Sequence, residues 1–186
     1  MRDPTSGAAR SETRRLVALF ALAYFAQALS QMGGLIGQPL AYYLKESVGL
    51  TATDVADYLA ILSLPWMIKP IYGLVSDYLP LLGYRRKTWL FVVNLCAAVG
   101  FLWLAGASDL GTLLIALFLT AFGTAAADVI IDALMVEAGN RTGATGHFLG
   151  VQWMGFKVGA IVTALTGGYL ASMFAPATAL HLAATI

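Results

Sequence analysis

The chain has 186 residues, 59% of them hydrophobic and only 11% charged, where an ordinary soluble domain carries roughly 25% charged residues; with a mean hydropathy of +0.77, a water-solvated globule is excluded. Eleven Lys and Arg against ten Asp and Glu leave a formal net charge of +1, so no long-range field recruits nucleic acid or an acidic partner. The single cysteine, Cys96, and two distant histidines, His147 and His181, exclude an intramolecular disulfide framework and give no metal-ligand spacing, so neither a metal nor another cofactor is expected.

Residues 1–15 carry Arg2, Arg10, Arg14 and Arg15 and read as a cytoplasmic N-terminal segment. From Leu16 to Leu44 no charged residue occurs, whereas about 20 apolar residues already cross a bilayer core. The run predicts a first membrane helix over 16–44, far longer than the apolar stretch of a signal peptide. Further helices are predicted over 54–77, 88–107, 111–136 and 147–173. A sixth begins at Pro176 and stops at Ile186; at about 1.5 Å per residue it covers half of a ~30 Å core, so it is expected to be truncated and the chain a fragment. The expected fold is an all-α integral membrane bundle over 16–186.

Orientation is read from Lys and Arg in short loops. The loop after the second helix holds Arg85, Arg86 and Lys87 and the loop after the fourth holds Arg141, whereas the loops on the other side hold Lys45 alone. The asymmetry places the N-terminus in the cytoplasm.

Four ionisable side chains fall inside the predicted spans: Lys69, Asp128, Asp132 and Lys157. Each is costly in hydrocarbon and is a functional candidate by default. Counted from the cytoplasmic helix ends, Lys69 lies about 12 Å deep, Asp128 about 13.5 Å and Lys157 about 15 Å, all near the midplane. Asp128 and Asp132 share one helix face with Thr124 and Thr120. Tyr58, Pro65, Lys69, Tyr72 and Ser76 form a polar stripe on the second helix, and Tyr24, Gln27, Gln31, Gly34 and Gln38 form another on the first. Three such stripes at one depth imply a shared wet cavity. Lys69 and Asp128 either neutralise one another to fix packing or bind a charged solute. Asp132 is the better proton candidate, because two carboxylates one turn apart repel when both are ionised. Lys157 either faces the cavity or snorkels. Pro65 and Pro70 predict a kink beside Lys69, and the pairs Gly33/Gly37 and Gly155/Gly159 read as close helix-packing sites.

Between the second and third helices the chain reads Gly73-Leu-Val-Ser-Asp77, then Pro80-Leu-Leu-Gly83-Tyr-Arg85-Arg86-Lys87. A carboxylate at a helix end, a glycine turn and three cations make an electrostatic latch that can exchange partners as helix bundles rock. This resembles the loop signature of the major facilitator superfamily, with extra residues between Asp and Gly; six helices with the N-terminus inside also match that superfamily's N-terminal half. The stretches Leu64-Pro65-Trp66-Met-Ile-Lys69-Pro70, Tyr24-Phe25-Ala-Gln27 and Ala127-Asp128-Val-Ile-Ile-Asp132-Ala are similar to the folate-biopterin transporter family within it. The muropeptide and acetyl-CoA permeases of the same superfamily are a second resemblance, around the latch and the Asp-x-x-x-Asp-Ala run.

The resemblance implies a proton-coupled secondary carrier (a symporter) working by alternating access in a bacterial inner membrane. It would move a small anionic or zwitterionic solute, folate- or pterin-like in some members, with the C-terminal half of the same protein as partner alongside protons and lipid. Lys69, Asp128, Asp132, Lys157, Gln27, Gln31 and Tyr72 are the expected solute and proton site; Gly73, Asp77, Gly83, Arg85 and Arg86 are the expected gating loop. The competing class is a non-transporting half-length membrane protein acting as an assembly partner. An intramembrane enzyme is disfavoured, because the two acids share one helix and lack glycine-rich active-site turns.

Overall fold

A computed structural model describes residues 4–186, and their side chains from Ser11 onward. The described residues form helices and connecting turns, with no strand among them. In chain order the helices are α1 (Pro4–Ser30), α2 (Gly37–Tyr42), α3 (Ala52–Met67), α4 (Lys69–Tyr78), α5 (Lys87–Leu104), α6 (Leu110–Thr142), α7 (Thr145–Met173) and α8 (Pro176–Thr185). Among the described residues four stretches are long and apolar enough to cross a membrane: Ala52–Tyr78, Lys87–Leu104, Leu110–Thr142 and Thr145–Met173. The chain is an all-α membrane protein.

The first span is not one helix over 16–44. α1 begins at Pro4, whose fixed φ and missing N–H suit a first helical turn, and it runs through the arginine-rich segment. The helix breaks over 31–36, and a π-helical turn, Tyr43–Ser47, follows α2. Glycine makes the break possible. A Cβ on Gly34 would lie 2.4 Å from the carbonyl oxygen of Leu29 and 2.5 Å from that of Ala28, while the Leu35 N–H reaches back to the Leu29 carbonyl at 3.1 Å. The Gly33/Gly37 pair therefore belongs to this break. It is not a helix–helix contact: a Cβ on Gly33 would meet nothing within 4 Å, and one on Gly37 would meet only Met32 of its own segment.

The second span divides at Ile68 (φ −93°, ψ 14°) into α3 and α4. Pro65 lies inside α3 and Pro70 opens α4; neither can donate a backbone hydrogen bond, so the ladder fails between them. Thr51 and Asp54 form a reciprocal capping box that starts α3. α6 extends past the expected 136 to Thr142, where Gly143 closes it in the left-handed conformation at φ 69°.

α6 is the central post, buried along its length from Leu113 to Gly139. Small residues let its neighbours approach. A Cβ on Gly123 would fall 2.5 Å from the Val93 carbonyl oxygen of α5. Across the bundle α7 docks on α1 through the expected Gly155/Gly159 pair: added Cβ atoms there would lie 2.6 Å from the Ala21 carbonyl oxygen and 2.6 Å from the Ala28 Cβ. These contacts set α1, α4, α6 and α7 around one interior space.

Candidate functional site

A cavity of about 210 Å³ opens between these helices, lined by Tyr24, Gln27 and Gln31 of α1, Trp66 of α3, Lys69 of α4, Asp128 of α6, and Gln152, Trp153 and Phe156 of α7. The kink at Ile68 puts Lys69 at the first position of α4, where its side chain leaves the helix toward α6. Its Nζ donates to Oδ2 of Asp128 at 2.5 Å and stands 4.3 Å from the centre of the Trp66 ring. The ammonium is thus shared between a carboxylate and an indole face, both of which favour the cation in a partly desolvated place.

One turn further along α6, Asp132 has a different environment. It accepts from the Tyr24 hydroxyl and from Nε2 of Gln152 at 3.0 Å. Its partners are neutral donors from α1 and α7, so this carboxyl is hydrogen-bonded without a direct counter-charge. Gln27 is buried and spans to α6 through a 3.0 Å bond to the Thr124 carbonyl. Thr120 and Thr124 turn their hydroxyls back onto the carbonyls of Ala116 and Thr120, both at 2.9 Å. The polar edge of α6 thereby satisfies itself above the two acids.

Three expected site residues lie outside the cavity lining: Asp132, which adjoins it through Tyr24 and Gln152, Tyr72 and Lys157. Tyr72 is outside the cavity lining: its ring stands edge-on to Phe122 at 5.2 Å, and its buried hydroxyl has no hydrogen-bond partner among the described residues. The one-turn offset from Lys69 that put both on one stripe is overridden by packing against α6. Lys157 is also outside the lining; its ammonium lies over the Trp153 ring, 5.9 Å from the centroid, so it neither enters the cavity nor extends to a helix end.

At the other end of α4 the loop expected to act as a gate forms an electrostatic bridge. Gly83 turns at φ 81° beside Leu82 at φ 52°, and the turn returns Arg86 to Asp77, with Nη2 at 2.7 Å and Nε at 2.8 Å from the same oxygen. Nη1 of Arg86 reaches Oε2 of Glu137 on α6 at 2.8 Å, and Arg85 caps the Asp77 carbonyl at 3.1 Å. Gly73 lets α4 approach α6: a Cβ there would come within 3.3 Å of Val129 Cγ1. Glu137 was absent from the sequence-based site because a carboxylate at a helix end reads as ordinary surface. Trp66, Gln152 and Trp153 were missed because indoles and amides carry no charge to mark them inside apolar helices. Tyr24 stood on the polar stripe, yet its acceptor is 108 positions away.

On the far side of the bundle Asp109 caps α6, accepting from the Thr112 N–H at 2.9 Å and hydroxyl at 2.5 Å; these bonds hold its carboxyl below the ordinary carboxylate range.

Known proteins resemble the chain over most of its length. The BT1 family model matches residues 31–186. The folate-biopterin transporter of Synechocystis sp. is 32% identical over 161 residues, covering 83% of this chain and 31% of that protein. Probable folate-biopterin transporter 4 of Arabidopsis thaliana is 32% identical over 160 residues, covering 83% of this chain and 32% of its own length. Folate transporter 1 of Plasmodium falciparum is 29% identical over 99 residues, 52% of this chain and 20% of that protein. The chain thus spans about a third of the first two relatives. No solved structure matches it. A match over residues 31–186, on a helical bundle whose kinked span brings Lys69 to Asp128 in one cavity, makes this chain a member of the BT1 family.

Proposed function

We propose that the protein is the N-terminal part of a proton-coupled carrier for a small anionic or zwitterionic solute of the folate or pterin kind, built as the first half of a major facilitator fold. The observation that carries this reading is the Lys69–Asp128 ion pair lining an interior cavity, supported by the names of the BT1 relatives. While Asp128 is ionised it holds the Lys69 ammonium. A proton arriving at Asp128 cancels that attraction and leaves the Nζ donors free for the anionic group of a solute; solute departure and proton loss restore the pair. Asp132, held by Tyr24 and Gln152, is the adjoining proton site. Proton and anion then cross together because each favours the state that accepts the other.

Alternating access requires a second bundle moving against this one. The Ile68 break gives α4 freedom relative to α3, and the Asp77–Arg86–Glu137 bridge ties α4 to α6 while the path on that side is closed. The Lys and Arg distribution supports a cytoplasmic latch, and the inner membrane of a bacterium is the proposed location. The test is uptake of labelled folate by the full-length protein in proteoliposomes with an imposed pH gradient. Uptake should rise with an acidic exterior and be lost in Lys69→Ala. Uptake in Lys69→Ala with an unchanged response to the gradient would overturn the assignment.

A further inference from the structure

Lys157 is a charge without an evident task. It is exposed on α7 among Met154, Val158 and Ile161, which are exposed too, and it makes no ion pair among the described residues. An ammonium on such a face is costly against lipid, so the face belongs to an aqueous path or to protein. The opposite face of α7 is immobilised on α1 through Gly155 and Gly159, and Gln152 fixes the helix to Asp132. The direction of Trp153 and Lys157 is therefore set by the bundle. Trp153 lines the cavity with 61% of its surface open, and Lys157 covers part of its ring. Inside the cavity the other cation, Lys69, is already neutralised by Asp128.

We infer that Trp153 and Lys157 form an anchoring site for a planar aromatic carboxylate at the mouth of the cavity, with the ring stacked on the indole and the carboxylate paired with the ammonium. The inference rests on the carrier reading above and extends it. The solute is first held where an uncompensated cation and an open aromatic face coincide, before Lys69 is released. A lysine four residues from a tryptophan on one helix keeps its charge over the edge of that ring, so one ligand can meet both at once. Lys157 acts as a binding residue for the anionic group, and Trp153 supplies stacking that does not depend on charge.

Two probes separate these contributions: pterin-6-carboxylate and pterin, titrated calorimetrically into the full-length protein in detergent. Lys157→Gln should weaken pterin-6-carboxylate about tenfold and leave pterin within about twofold, while Lys157→Arg, which keeps the cation, should stay within about threefold of the parent for both. Trp153→Ala should weaken both probes about tenfold. Equal binding of the carboxylate by Lys157→Gln and the parent overturns the inference and leaves the carrier reading intact, as does equal loss of both probes, which marks a packing role. If the parent binds neither probe, both readings fall. Should the lysine dependence hold while uptake ignores the pH gradient, proton coupling fails and the anchoring site stands.

Discussion

The cavity and the loop solve one problem in two ways: each brings a cation from the α4 region to a carboxylate on α6. In the cavity a single lysine meets a single aspartate, with 31% and 14% of their side chains exposed. At the loop one arginine, itself 22% exposed, serves two carboxylates, Asp77 at 39% and Glu137 at 71%. The difference lies in what happens when a partner leaves. A partly desolvated charge left alone is destabilised strongly, whereas the Glu137 carboxylate, at a wet helix end, is rehydrated when it leaves Arg86 and loses little. The interior pair is therefore costly to break on one side only, whereas the Arg86–Glu137 contact is cheap to lose.

The largest effect should come from breaking the interior pair on one side. Lys69→Met strands Asp128 and should lower stability by about 2–3 kcal/mol, less than for a fully buried pair because both groups retain some water. Adding Asp128→Asn should recover much of that loss in a detergent unfolding experiment. If the double variant is as unstable as the sum of the singles, the pair is not coupled. Gly123→Ala is next: a methyl 2.5 Å from the Val93 carbonyl oxygen must part α5 from α6, at about 1–3 kcal/mol. Arg86→Lys should cost about 1 kcal/mol or less, since an ammonium cannot hold Asp77 and Glu137 in the forked geometry; removal of Glu137 in that background should then have almost no further effect. The smallest effect is at the cap. Asp109 has a lowered carboxyl pKa in the fold, so its contribution is present above the ordinary value of 3.8 and is lost as pH falls through the lower folded value. Asp109→Ala should lower the unfolding midpoint slightly at neutral pH, with the gap to the parent closing in strong acid.

Much of this organisation was legible beforehand because lipid punishes exceptions. Charges, prolines and glycines inside apolar runs stand out one by one, as Lys69, Asp128 and Asp132 do, and Asp77 and Arg86 stand out through the loop pattern between the second and third spans. The neutral partners were not legible. Gln152 and Trp153 reach the site only because Gly155 and Gly159 seat α7 on α1, and the break over 31–36 depends on how Gly34 lies against the Leu29 and Ala28 carbonyls.

The sequence by itself determined that the chain lives in a membrane, that it is helical, and that Lys69 and Asp128 share a depth, since hydropathy and helical rise are local properties. Only the tertiary structure decided which acid takes the lysine, that Tyr24 and Gln152 take the other, that Tyr72 turns away, and that Lys157 lies on Trp153. Those choices depend on the rotation and separation of neighbouring helices, which are set by where small side chains allow backbones to touch.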